Sequence, residues 1–195
     1  MLVEHFHGLE IHRITSAEEA DRFEAGFAEA YRRIFEGEPY FEEFTEAEAV
    51  AQWRRLTRSR QQITLVAQGD AGVVGFGIAI PLVEAPDVAR ALSGLVPVKA
   101  TMYLVELGVD EAWRGQRLAR HLVKLRIGLI DRALFSHVVL RVADGRSASF
   151  DMYRSLDFED MGVSMVVRQR RTDGTVKADT RHFLSRVLSQ VLIED

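Results

Sequence analysis

The stretch MYLVELGVDEAWRGQRLARHLVKLRIGLI, Met102 to Ile130, decides how the rest of the chain is read. Its first part, Met102 to Val109, is apolar at nearly every position. Strict alternation puts Tyr103, Val105, Leu107 and Val109 on one face and Met102, Leu104, Glu106 and Gly108 on the other. A strand apolar on both faces belongs in the middle of a sheet. Glu106 is then a carboxylate set into an apolar strand. A short polar turn follows, Asp110 to Gln116, with Arg114 and Gly115 in it. Leu118, Leu122, Leu125 and Leu129 then recur at steps of four, three and four, which is one face of a helix, while Arg117, Arg120, Lys124 and Arg132 lie off that stripe. Backbone N–H groups at a helix start have no partner within the helix, and the dipole there favours an anion. With Arg114 beside them, the unit reads as a site for a phosphate or pyrophosphate. The alternative is a strand-turn-helix unit that binds nothing. No Gly-Lys-Ser/Thr closes the turn, so it is not a P-loop, and the lone Gly115 does not make a three-glycine dinucleotide turn.

Outside this unit the totals are ordinary. A length of 195 residues predicts one domain, at ~150 residues per domain. Hydrophobic residues make up 47% and charged residues 28%, a globular composition. The net charge of -4 argues against general nucleic-acid affinity. With no cysteine, disulfides, thiolate nucleophiles and cysteine-ligated metals are excluded. The six histidines show no metal-ligand spacing, so no metal site is expected, and His5, His7 and His121 read as surface residues. Met1 to Gly8 has no apolar core, so no signal peptide is read there. No apolar run reaches the ~20 residues of a membrane helix, and a cytoplasmic location without a membrane partner is the default expectation.

In chain order, Leu2 to Ile14 reads as a first strand. Ser16 and Glu19 have capping-box spacing, and the helix behind them buries Phe23, Phe27, Tyr31 and Ile34, ending near Gly37. Thr45 and Glu48 make a second box before a helix to about Arg58 with Val50, Trp53 and Leu56 on one face. Ile63 to Ala67 and Val73 to Ile80 form a hairpin, in which Gly75 and Gly77 predict a bulge or a close backbone approach. Pro81 to Lys99 is a long connection with a helical turn between Asp87 and Leu92. Beyond the central unit come a strand from His137 to Val142, a helix from Arg146 to Leu156, a strand from Val163 to Arg170 and a turn at Thr172-Asp173-Gly174. At the C-terminus, Phe183, Leu184, Val187, Leu188, Val191 and Leu192 fit a helix, whereas a hairpin after Gly174 asks for a strand from about Thr180 to Leu188. Both remain open from the sequence.

This order, strand, two helices, hairpin, central strand, helix, strand, helix, strand pair, resembles the GNAT acetyltransferases, which move an acetyl group from acetyl-CoA to an amine. The resemblance spans nearly the whole chain, and its sharper motifs lie between Glu106 and Phe158. The family's CoA-binding turn, Gln/Arg-x-x-Gly-x-Gly/Ala, aligns with Arg114-Gly115-Gln116-Arg117-Leu118-Ala119; Arg114 and Ala119 match, and Arg117 replaces a glycine. Tyr153 is followed by Leu156-Asp157-Phe158 where the family has Leu-Gly-Phe. Arg146 stands where asparagine is common. Phe35-Glu36-Gly37-Glu38-Pro39-Tyr40 is similar to a segment between the first two helices of some members. The resemblance implies an α/β fold with a mixed sheet of six to seven strands flanked by about four helices.

It also implies site residues. Glu106 stands where many members carry a general base, and burial among Leu104, Val105 and Leu107 predicts a raised pKa suited to that work. The alternative is a structural glutamate paired with an arginine. Tyr153 would protonate the leaving thiolate, a phenol of pKa near ~10 matching a thiol near ~8.5; otherwise it is a core tyrosine. Leu107, Gly108 and Val109 would pair with the pantetheine arm, and Arg114, Gly115, Gln116, Arg117, Leu118, Ala119 and Arg120 would hold the pyrophosphate. Arg146 would contact CoA or stand in solvent. The acids Glu36, Glu38, Glu42, Glu43 and Glu46, interleaved with Tyr40, Phe41 and Phe44, lie where the family places its acceptor lid. They would draw in a cationic amine or form a solvated surface, with Glu38, Tyr40 and Phe41 as candidate acceptor contacts. Two functions compete: an N-acetyltransferase for a small-molecule or peptide amine, and a non-catalytic acyl-CoA-binding or regulatory module. A homodimer through Val187 to Ile193 is a further expectation.

Overall fold

The computed structural model describes residues 1–143 and 147–188. Eight strands form one sheet in the order β1-β2-β3-β4-β5-β6-β8-β7. They are β1 (Leu2–Phe6), β2 (Leu9–Ile14), β3 (Ile63–Gly69), β4 (Gly72–Pro81), β5 (Thr101–Val109), β6 (His137–Ala143), β7 (Glu159–Arg170) and β8 (Val176–Val187). Only the β5–β6 pair is parallel. The helices described are α1 (Ala17–Glu36), α2 (Glu46–Thr57), α3 (Pro86–Ala91), α4 (Leu118–Gly128) and α5 (Ala148–Arg154). The mixed α/β architecture is the one expected, with one strand more than the upper count.

That strand comes from the N-terminus. Leu2 to Ile14 is a hairpin, with Phe6 opposite Leu9. His7 and Gly8 both take positive φ, 50° and 86°, as a two-residue hairpin turn demands. The sequence signal was a His-Gly pair, and histidine is among the residues that tolerate this region. His121 is not free in solvent: its ring stacks on Phe6 at 4.3 Å and pairs with Glu4, fastening the hairpin to α4. The C-terminal ambiguity resolves as strand β8, which pairs with β6 on one side and β7 on the other. Ladder bonds on both sides outweigh the helical spacing of its leucines and valines. Residues 189–193, on which most of the dimer expectation rests, lie outside the described residues, as does Arg146.

The helices cover the sheet from both sides. Phe23, Phe27, Tyr31 and Ile34 of α1 are buried with Trp53 and Leu56 of α2 against Phe76, Ile78 and Tyr103. The Trp53 Nε1–H donates to the Ala20 carbonyl at 2.9 Å, tying the two helices. Thr45 and Glu48 form the full capping box. Ser16 Oγ accepts from the Glu19 N–H, while the Glu19 carboxylate reaches one residue further back, to Thr15. On the other face, Leu118, Leu122, Val123 and Ile127 of α4 and Tyr153 of α5 are buried, while Leu125 and Leu129 are half-buried.

A slip in the β4–β5 ladder positions the site. Ile78 faces Glu106, but the next pair is Ala79 with Leu104, leaving Val105 as the extra residue of a bulge. Strict alternation therefore fails. Tyr103 and Val105 face α1 and α2, and so does Glu106, whereas Leu107 packs with Leu104 on the α4 side.

Candidate active site

Strands β5 and β6 pair only from Thr101–His137 to Leu104–Leu140. Both continue beyond, β5 to Val109 and β6 to Ala143, without pairing to each other. The gap opens into a cavity of about 1100 Å³ that reaches from Tyr31 of α1 through the β5 edge to Tyr153 of α5. Val105, Glu106, Leu107 and Val109 line it. Past Leu104, the β6-facing edge of β5 has no strand partner among the described residues, which leaves room there for an extended ligand, although the Val109 carbonyl accepts from Arg114 Nε at 3.4 Å.

At one end of the cavity lies the turn from Asp110 into α4. The Asp110 carboxylate accepts from the Ala112 N–H at 3.1 Å and from Arg33 Nε at 2.7 Å. Gly115 has φ 76°. Arg117 has φ 67° and ψ 8°, so it occupies the left-handed region at the position where the family motif has glycine, at a strain of about 1 kcal/mol. Its angles are not those of a right-handed helix. No side chain caps α4, which leaves the first N–H groups of the helix open. Arg114 donates from Nη1 to the Glu38 carbonyl at 2.6 Å, joining the turn to the α1–α2 loop. Arg120 donates to the Ser155 hydroxyl and carbonyl, joining α4 to α5. Trp113, Arg114, Gly115, Arg117, Leu118, Ala119 and Arg120 line the cavity; Gln116 does not, and its side chain turns back to the Ala112 carbonyl at 3.0 Å. Gly108 is buried for a packing reason: a Cβ there would stand 2.4 Å from the Phe76 ring.

Glu106 sits where the strands part. Its Oε1 accepts from Gln52 Nε2 at 2.7 Å and, at a long 3.4 Å, from the Tyr31 hydroxyl. No arginine lies within ion-pair distance of it among the described residues. Burial pushes its pKa up to about 7, with the Gln52 hydrogen bond and the charges of Arg141 and Arg55 pulling back. Tyr153 lines the same cavity from α5, its ring edge-on to Phe158. Burial pushes its phenol up to about 12, and the Arg126 guanidinium opposes that rise.

Arg126 escaped the sequence reading. It is 0% exposed, beneath the β5 bulge. Its Nη1 donates to the carbonyls of Ile78 and Glu106 at 3.0 and 2.9 Å. Its Nη2 is buried without an acceptor in hydrogen-bond geometry, and the Tyr153 phenol is the leading polar influence that favours its charged form. Gly77 makes the room, since a Cβ there would lie 2.7 Å from Arg126 Nε. The only sequence signal was Gly77 itself, read as a close backbone approach.

The acids between α1 and α2 are largely spoken for. Glu42 is 4% exposed and pairs with Arg181 at 2.9 Å and Arg171 at 3.9 Å. Glu43 and Glu48 pair with Arg170, and Glu36 with Arg32. Glu38 is exposed and contributes its carbonyl to Arg114. Tyr40 lines the cavity with Phe35 and Phe44; Phe41 is 47% exposed and faces the neighbouring β7–β8 turn instead.

A parted parallel pair, a basic turn at a helix start and a buried carboxylate meet in one cavity. The profile of the acetyltransferase (GNAT) family matches residues 25–158, and the chain belongs to that family. Solved structures agree on the fold. A ribosomal-protein-alanine N-acetyltransferase from Brucella melitensis superposes with a TM-score of 0.65 at 18% identity, over 91% of this chain and 99% of that one. The structure of yncA from Salmonella typhimurium with its cofactor acetyl-CoA gives 0.63 at 17% identity, over 96% and 98%. A GCN5-related N-acetyltransferase from Kribbella flavida gives 0.62 at 20% identity, over 93% and 98%. No curated protein sequence matches the chain.

Proposed function

We propose that the chain is a single N-acetyltransferase domain that moves an acetyl group from acetyl-CoA to a primary amine by direct attack. The observation that carries this is Glu106: a carboxylate open to the cavity, held by neutral donors, and poised to titrate near pH 7. The open edge of β5, the uncapped start of α4 and the arginines of the turn fit an extended thioester ending in a pyrophosphate. Acetyl-CoA would supply the activated acetyl group. Leu107 and Val109 would pair with its pantetheine arm, with Gly108 keeping the strand close-packed on Phe76. Arg114, Arg117 and Arg120, with the N–H groups near Gly115, Leu118 and Ala119, would hold its phosphates.

Ionised Glu106 takes a proton from the acceptor's ammonium, directly or through water, and leaves a neutral amine. The amine nitrogen bonds to the acetyl carbon, the nitrogen of the adduct gives its second proton to water, and the carbon–sulfur bond breaks. Tyr153 gives its proton to the departing thiolate and is reprotonated from solvent, while Glu106 releases its proton. The Arg126 charge stabilises the transient phenolate. Acetamide and free thiol leave.

Calorimetric titration with acetyl-CoA and free CoA tests the donor site. Micromolar binding, weakened about 10-fold or more by Arg114→Ala, is expected. No binding at millimolar CoA would overturn the reading, and binding without turnover of any amine would leave an acyl-CoA-binding module.

A further inference from the structure

The acceptor half of the cavity carries a charge pattern opposite to the one its glutamates suggest. Around Glu106, on the α1/α2 side, the lining charges are Glu42, Glu48, Arg141 and Arg181. Glu42 and Arg181 neutralise each other at 2.9 Å. Glu48 is taken by Arg170 at 2.8 Å. Arg141 is left. It projects from β6 just where that strand parts from β5. Its Nε donates to the Tyr103 hydroxyl at 2.8 Å, and its guanidinium lies 5.9 Å from the Tyr103 ring centre. Its Nη1 faces the Met165 sulfur at 3.1 Å, a weak acceptor. Among the described residues no carboxylate stands within ion-pair distance of it. The guanidinium is thus half-buried, aimed by a buried phenol, and without a carboxylate in direct contact; Glu106 feels its charge but stands beyond ion-pair distance. Withdrawing such a group from water is unfavourable unless an anion completes the site. A planar fork with fixed orientation suits a carboxylate held by two hydrogen bonds.

We propose that the acceptor is a small amino acid whose carboxylate is bound by Arg141 while its amine is presented to Glu106. Tyr103, which aims Arg141, is on the same face of β5 as Glu106 and three residues before it, a separation of at most ~10 Å along a strand. An amine and carboxylate a few bonds apart, each adding a hydrogen bond of ~2.9 Å, span a similar distance. A diamine or a neutral amine would leave Arg141 unpaired and place no anion opposite it. This inference rests on the acetyl-transfer reading of the same site and narrows the acceptor class.

The test compares α-, β- and γ-amino acids with their carboxamides. Binding is measured by calorimetry to the protein alone and to its complex with free CoA, and turnover is followed by thiol release from acetyl-CoA. Amino acids are expected to bind, and to show kcat/KM, about 10- to 100-fold better than the matching amides. Arg141→Gln should bring that acid-to-amide ratio to about one, and Arg141→Lys should restore part of it. Equal handling of acids and amides by the unaltered protein, or a ratio unmoved in Arg141→Gln, overturns the inference. Turnover of amines without acid preference would do so while leaving acetyl transfer intact. Acid-selective binding without any turnover would support the anion site and count against Glu106 as the base.

Discussion

Glu42 and Glu106 line one cavity and are both drawn out of bulk water, yet they are held differently. Glu42 has two arginines; burial still raises its pKa on balance, and their charges hold that rise back. Glu106 has an amide and a phenol, and its pKa goes up to about 7. The difference lies in the partner's charge. A cation fixes a carboxylate in its ionised form and makes it a latch; Glu42 holds the α1–α2 loop to the β7–β8 hairpin. Neutral donors satisfy lone pairs without deciding the proton, so Glu106 remains free to gain and lose one. Removing the charge from each by the same change, glutamate to glutamine, should therefore have opposite consequences.

The largest effect belongs to Glu106→Gln. Loss of the proposed general base should lower kcat/KM by about 10²- to 10⁴-fold in steady-state assays, and the acid limb with its inflection near 7 should vanish. Stability should move the other way. The folded-state pKa lies above the unfolded value, so the folded protein binds more protons in the window from 4.5 to about 7, and stability falls as pH rises through it. Because cavity water relieves part of the burial, the gain on removing the carboxylate should be about 2 kcal/mol at pH 8 and near zero at pH 4, read by chemical denaturation. A loss of stability at pH 8 would break the comparison.

Next in size is Glu42→Gln, which leaves Arg171 and Arg181 with Asp179 as their remaining acidic partner. Breaking a buried pair from one side costs about 3 kcal/mol, and denaturation near neutral pH should show it. The acid limb of the activity profile should stay near 7 in this variant, because Glu42 adds only a minor upward push to Glu106.

Much of this was legible in the chain and some was not, for physical reasons. The aromatic stripe of α1, the Thr45–Glu48 box and the strand-turn-helix unit each write their structure in local spacing, and the order of elements carried the fold. Glu106 was legible as a buried carboxylate, but not its face. A bulge at Val105 has no residue signature, since valine sits comfortably in a strand, and it reversed the alternation. Arg126 was hidden because an arginine on an amphipathic helix normally points to water; what buries it is the space at Gly77, one strand away. The acid cluster misled because its counter-charges, Arg170, Arg171 and Arg181, lie more than 120 residues later in sequence. The Leu2–Ile14 hairpin turned on a His-Gly pair weaker than the usual Asn-Gly signal.

The smallest effect sharpens the comparison most. Gln52→Leu removes the 2.7 Å hydrogen bond to Glu106 and leaves only the long contact from Tyr31. That bond favours the charged carboxylate, so without it the proton is held more tightly and the acid limb should move above 7, by up to about one pH unit. Activity well above the limb should fall little, because ionised Glu106 is still formed there. The stability difference between pH 5 and pH 8 should grow by about 1 kcal/mol, since the same shift widens the window in which only the folded chain keeps its proton. An inflection that stays in place would mean that burial alone sets the poise of Glu106. An inflection that moves down would mean that water entering beside the substituted side chain solvates the carboxylate better than the amide did, and that neutral packing, rather than the Gln52 donor, keeps this carboxylate apart from its latched neighbour.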